Sequence, residues 1–143
     1  MKENINVLDE INKGVCMGID AISYIIDKVK DKKFKKLLER QSSEYKKISE
    51  DINEIYSKYN SDAEPHETNK MEKTMTRFGI EMRTMTDDSD AKISELLFKG
   101  TNMGILEGRR ILNDKKMDKE VKEIVDTYVK VQEKNIEDLK KYL

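Results

Sequence analysis

Lys13-Gly14-Val15-Cys16-Met17-Gly18-Ile19 returns later in the chain as Lys99-Gly100-Thr101-Asn102-Met103-Gly104-Ile105, identical at five of seven positions. The offset is 86 positions, and the flanks keep it: Ile11 falls on Leu97, Ile25 on Ile111 and Ile26 on Leu112. One inserted residue later, Phe34 falls on Val121 and Leu37 on Ile124. Self-similarity of this kind organises a chain before any short motif does. It predicts two copies of a helical hairpin, 3–59 and 90–143, joined by a linker and crossover helix over 60–88, all in one domain.

The helices are legible around the repeat. Leu8, Ile11, Val15, Ile19, Ile22, Ile26 and Val29 step by three or four, one face of an amphipathic helix. Asp31 offers an N-cap, and a second stripe runs through Phe34, Leu37, Leu38, Gln41, Tyr45, Ile48, Ile52, Ile55 and Tyr59. So short a connection packs the two helices antiparallel. Residues 60–70 hold the single proline, Pro65, and nothing apolar larger than alanine. Met71, Met75, Phe78, Met82 and Met85 then mark a third stripe, with Asn69 and Glu72 spaced as a capping box. After the cap-rich Thr86–Asp90, a helix follows through Ile93, Leu97, Gly100, Gly104, Glu107 and Ile111. The last stripe is Val121, Ile124, Val125, Tyr128, Val131, Gln132, Ile136, Leu139 and Leu143. The expected fold is all-α: a four-helix bundle of two duplicated hairpins with an additional crossover helix.

Composition excludes several classes. Of 143 residues, 40% are charged, but 28 basic against 29 acidic side chains leave a net charge of -1. That removes the bulk electrostatic case for nucleic-acid binding. One cysteine, Cys16, cannot staple a disulfide scaffold. No apolar run approaches the ~20 residues of a membrane span, and no secretory signal follows the N-terminus, so the expected place is the cytoplasm.

Glycine costs about 1 kcal/mol against alanine within a helix, so Gly14, Gly18, Gly100 and Gly104 need a return. Small residues one turn apart let helix backbones approach. The first helix is therefore expected to cross its repeat counterpart there, sealed by Met17, Met103, Ile19 and Ile105. The other reading is that these glycines leave room for a ligand or a π-bulge.

Two hairpins with a long connection, the repeated Lys-Gly-x-x-Met-Gly-Ile, and Gly79-Ile80-Glu81-Met82 between them resemble the ferritin-like four-helix proteins. They are similar to a helix-hairpin group of unknown function within that superfamily, found in Gram-positive, spore-forming bacteria. The resemblance implies a ferritin-like bundle and raises the question of a di-iron site. Such sites take a Glu from each of two helices and Glu-x-x-His from each of the other two. At that spacing Glu39 meets Ser42, Glu44 meets Lys47, Glu120 meets Glu123, Glu123 meets Asp126 and Glu133 meets Ile136. The only histidine, His66, sits beside Pro65 in the linker. The expectation is a metal-free relative without cofactor. The alternative is a di-metal carboxylate protein for storage or redox with a degenerate ligand set, drawing on Glu39, Glu107 or Glu123.

The remaining polar residues on apolar faces are Gln41, Glu107, Gln132 and Asn135. Buried polar groups need partners, so these predict either a satisfied layer that sets helix register or a mid-bundle polar pocket. Cys16, matched by Asn102, reads as a small buried hydrophobe. The lysines at 28–36 and 115–122 read as solvated helix caps. The methionine stripe packs adaptably and suits either the side of its own bundle or a partner surface. The expected role is non-catalytic: protein–protein association, as a homodimer or with another protein, and with neither nucleic acid nor membrane.

Overall fold

The reversal at Asp31 shows how local sequence starts the architecture. In the computed structural model, which describes residues 2–60 and 77–143 (without the side chains of 77 and 78), α1 runs Lys2–Ile25. A single 3-10 turn, Ile26–Lys28, follows. The Asp31 carboxylate then accepts from the backbone N–H of Lys33 at 2.8 Å and of Phe34 at 3.0 Å. Those are donors that the first turn of a helix leaves unpaired, and α2, Lys32–Tyr56, begins there. A short α3 spans Arg77–Thr84. Ser89, accepting from Lys92 N–H at 3.2 Å, caps α4, Asp90–Asp114. The last helix, α5, is Lys119–Lys140. There is no strand among the described residues. The 60–70 linker beyond Asn60, His66 and the start of the third stripe, including Met71 and Met75, lie outside them.

Paired side chains give the helix directions. Between α1 and α2, Ser49 Oγ donates to Asn12 Oδ1 at 3.0 Å and Tyr56 Oη to Asp9 Oδ1 at 2.9 Å, so position rises on one helix as it falls on the other. Arg40–Asp138 at 2.6 Å, Glu44–Lys134 at 3.5 Å and Lys58–Glu120 at 3.0 Å set α2 antiparallel to α5. Ser94 Oγ to the Leu139 carbonyl at 2.6 Å and Arg109–Glu133 at 2.7 Å do the same for α4 and α5. The α1–α2 turn meets the start of α4, where Asp90 accepts from the N–H of Lys30 and of Asp31, both at 2.9 Å. It follows that α2 and α4 run the same way. The end of α2 and the start of α4 lie at opposite ends of the bundle. Two antiparallel hairpins, α1 with α2 and α4 with α5, pack together among the described residues.

The core is the sum of the stripes. Leu8, Ile11, Val15, Phe34, Leu38, Ile52, Ile93, Val121, Val125 and Leu139 are all 1% exposed or less. Each such side chain contributes about 1.5–3 kcal/mol through burial. Met82 of α3 is buried and Met85 packs against the same core. No helix among the described residues is long and apolar enough to cross a membrane.

Two stripe assignments shift. On α4 the buried positions are Ile93, Ser94, Leu96, Leu97, Thr101, Gly108 and Ile111, and Glu107 is exposed. From Gly104 the inward face advances by four and then three, which selects Gly108 in place of Glu107. Leu143 lies past the end of α5 and is 58% exposed; its neighbour Tyr142 stacks on Phe34 instead, ring centroids 4.3 Å apart.

Candidate functional site

Midway along the bundle the two glycine motifs face one cavity of about 240 Å³ between α1 and α4. Gly14 and Gly18 come from α1, Gly100 and Gly104 from α4. The space they leave is taken from behind by side chains of the other two helices. A methyl group on Gly14 would strike the Tyr128 hydroxyl, one on Gly104 the Gln132 amide and Tyr128, and one on Gly18 the Tyr45 ring at 2.8 Å. The close approach that glycine allows here is therefore backbone to aromatic ring and amide, with the glycine faces left as cavity wall. Met17 and Met103 line the cavity, and Met103 is 52% exposed at its edge.

The floor is a chain of neutral hydrogen bonds between helices far apart in sequence. Asn135 Nδ2 donates to Tyr45 Oη at 3.3 Å. Tyr45 Oη donates to Gln132 Oε1 in a short bond. Gln132 Nε2 donates to Tyr128 Oη at 3.0 Å. Gln41, 2% exposed, shares the cavity wall, and its Nε2 has no hydrogen-bond partner. Asn135 Oδ1 is likewise buried without one. Burial raises the Tyr45 and Tyr128 hydroxyls above the ordinary phenol range, more than their amide partners lower them. Desolvation disfavours the phenolate, so both rings stay neutral across the physiological range. They can orient a ligand through hydrogen bonds; they cannot serve as bases.

Of the polar positions singled out in the sequence, Gln41, Gln132 and Glu107 line this cavity, Glu107 at the exposed rim with Glu10 and Lys13. Asn135 stands behind Tyr45 and does not line it. Among the described residues no three His, Cys, Asp or Glu side chains come together as a metal site. Cys16 is half-buried and forms no disulfide. Sequence reasoning placed Tyr45 and Tyr128 in the apolar stripes and missed their hydroxyls. The repeat carried a signal: one residue beyond the 86-position offset, Gln41 falls on Tyr128 and Tyr45 on Gln132.

A second depression, between α2 and α5, is edged by Asp51, Glu54, Glu120 and Glu123. Next to it, the Tyr59 hydroxyl donates to Glu120 at 2.7 Å and to Asp118 at 3.0 Å. The bond from Tyr59, with one from Lys58, holds the Glu120 carboxyl below its usual range. These groups join the end of α2 to the start of α5.

A family model described as Domain of unknown function (DUF2383) matches residues 3–114. The match covers α1 to the final residue of α4, while Tyr128, Gln132 and Asn135 lie beyond it on α5. No curated protein and no solved structure matches the chain.

Proposed function

The chain belongs to this family of domains of unknown function, and from that starting point we propose that it is a non-catalytic, ferritin-like helical bundle that acts through protein association. The observation that carries the non-catalytic part is the composition of the bundle's centre. Where a di-metal carboxylate protein of this architecture places inward Glu and His, this chain places Tyr45, Tyr128, Gln41, Gln132 and Asn135. Neutral amides and phenols lack the charge and the imidazole nitrogen that hold a di-iron centre. The ferritin-like reading is supported by the two antiparallel hairpins and by the parallel run of α2 and α4.

Duplication is supported by a pair of equivalent contacts. Asn4 of α1 accepts from the Asp118 N–H, at the N-cap of α5, at 2.8 Å. Asp90 of α4 accepts from the Asp31 N–H, at the N-cap of α2, at 2.9 Å. Asn4 and Asp90 are 86 positions apart, and Asp31 and Asp118 one more than that. The two hairpins thus dock through the same polar clasp used twice. Tyr45 and Gln132, also equivalent, bond to one another, as residues on a local two-fold axis would.

Association is supported by apolar side chains left at the surface: Met103 (52% exposed) and Leu106 (48%) one turn apart on α4, and Ile80 (48%) on the neighbouring α3. Isolated apolar residues are ordinary on a surface, whereas a contiguous group marks an interface. The reading places the protein in the cytoplasm, its thiol reduced. Size-exclusion chromatography with light scattering tests it. The expected mass is twice the 16.8 kDa of one chain, returning to one with Met103→Glu and Leu106→Glu together. A strict monomer that also retains no partner in pull-downs would overturn association.

A further inference from the structure

We propose that the α1–α4 cavity is a binding site for a small, mainly apolar molecule that carries one carbonyl-type hydrogen-bond acceptor. The cavity's size sets the scale. An engineered apolar cavity of about 150 Å³ takes benzene, with six heavy atoms. In the same proportion, the 240 Å³ here takes a ligand of about ten heavy atoms. The wall is mostly aliphatic and glycine backbone, and the edge carries Met17 and Met103. Methionine side chains adapt their shape at low cost, so they can part to admit a ligand and close on it.

The polar partner is set by what the protein leaves unused. Gln41 lies 2% exposed in the wall, and its Nε2 makes no hydrogen bond. A buried donor without an acceptor is destabilising, and each such group in a native fold calls for a reason. The Tyr128 hydroxyl accepts from Gln132 and lies in the same wall. The unused group, the Gln41 side-chain N–H, is a neutral donor that belongs to the cavity. An acceptor oxygen on an otherwise greasy molecule answers it; at the rim Glu10 is offset by its ion pair with Lys13 at 3.2 Å, and Glu107 is the charge that disfavours a carboxylate. Gly14 and Gly18 enter this site as bare backbone wall, because a Cβ on either would strike Tyr128 or Tyr45.

Acetophenone, with nine heavy atoms, is the probe. α-Methylstyrene, which has the same shape with CH2 in place of the carbonyl oxygen, is its control. Titration of the isotope-labelled protein followed by NMR reads both affinities and the residues that respond. Acetophenone is expected to bind saturably, to shift the Gln41 side-chain amide, and to bind about two- to tenfold tighter than the control, one hydrogen bond's share. Gln41→Met, an apolar side chain of matching length that also removes the orphan amide, is expected to abolish the preference while keeping the fold. Ala21→Leu, which fills the cavity from α1, is expected to weaken both probes strongly. Absence of saturable binding, equal affinity for the two probes, or binding that survives Ala21→Leu would each overturn the proposal, leaving a cavity that holds only water. Met103 belongs both to the cavity edge and to the proposed association face, so light scattering on the titrated samples records whether monomer or dimer binds the probes, which separates failure of this proposal from failure of the association reading.

Discussion

Replacing Tyr45 by phenylalanine removes one oxygen atom and tests the bundle's central network. Tyr45 is 3% exposed. Its hydroxyl donates to Gln132 Oε1 and accepts from Asn135 Nδ2 at 3.3 Å. Without it, one acceptor and one donor stay buried with no partner. Each orphan costs about 1–3 kcal/mol; the Asn135 bond is long and counts toward the low end, so the expected total is about 2–4 kcal/mol. Unfolding entropy of about 2.1 cal/mol/K per residue over 143 residues gives about 0.3 kcal/mol/K. The melting temperature of Tyr45→Phe should therefore fall by about 7–13 °C. Far-UV circular dichroism during heating measures it, with Tyr24→Phe as control because Tyr24 is 45% exposed. Adding Gln132→Met should be markedly less than additive, since the orphaned acceptor disappears with the glutamine. A Tyr45→Phe protein that melts within a degree or two of its control would refute the reasoning and show that the hydroxyl's partners are satisfied in other ways.

Three further predictions stand on separate features. Burial raises the Tyr45, Tyr56, Tyr59 and Tyr128 hydroxyls above their ordinary value of 10.0, Tyr56 to about 12 with help from Asp9. The unfolded chain then loses these protons first, so stability holds below pH 10 and falls as pH rises toward the folded values. Alkaline titration should show tyrosinate absorbance appearing together with loss of helix, and tyrosinate forming at all six tyrosines with helix intact would count against it. Asp90→Ala removes the acceptor for two backbone N–H groups of the α1–α2 turn and should cost about 1–2 kcal/mol in urea unfolding; Asn4→Ala, its counterpart on Asp118, should cost a similar amount, and a neutral result at both positions would remove the clasp from the argument. Protein expressed with iron and manganese should hold either metal well below stoichiometry, and stoichiometric metal that vanishes in Glu107→Ala would restore the di-metal reading.

The sequence by itself determined the helices and their breaks. Helical periodicity and N-caps act within a few residues, so the stripe from Leu8, the cap at Asp31 and the cap-rich break before α4 were legible without coordinates. It also marked the glycines and Gln41, Gln132 and Asn135 as exceptions to the apolar pattern. What the tertiary structure decided was what those exceptions meet. Whether Glu107 or Gly108 faces inward turns on a difference of one residue in helix phase, which a spacing of three or four does not resolve. The Tyr45–Gln132 bond joins positions 87 apart in the chain, and the docking of Asp90 on the turn at Lys30 joins positions 60 apart. Both depend on the register between whole helices. That register is set by the packing of many apolar side chains at once, so no local stretch of sequence contains it.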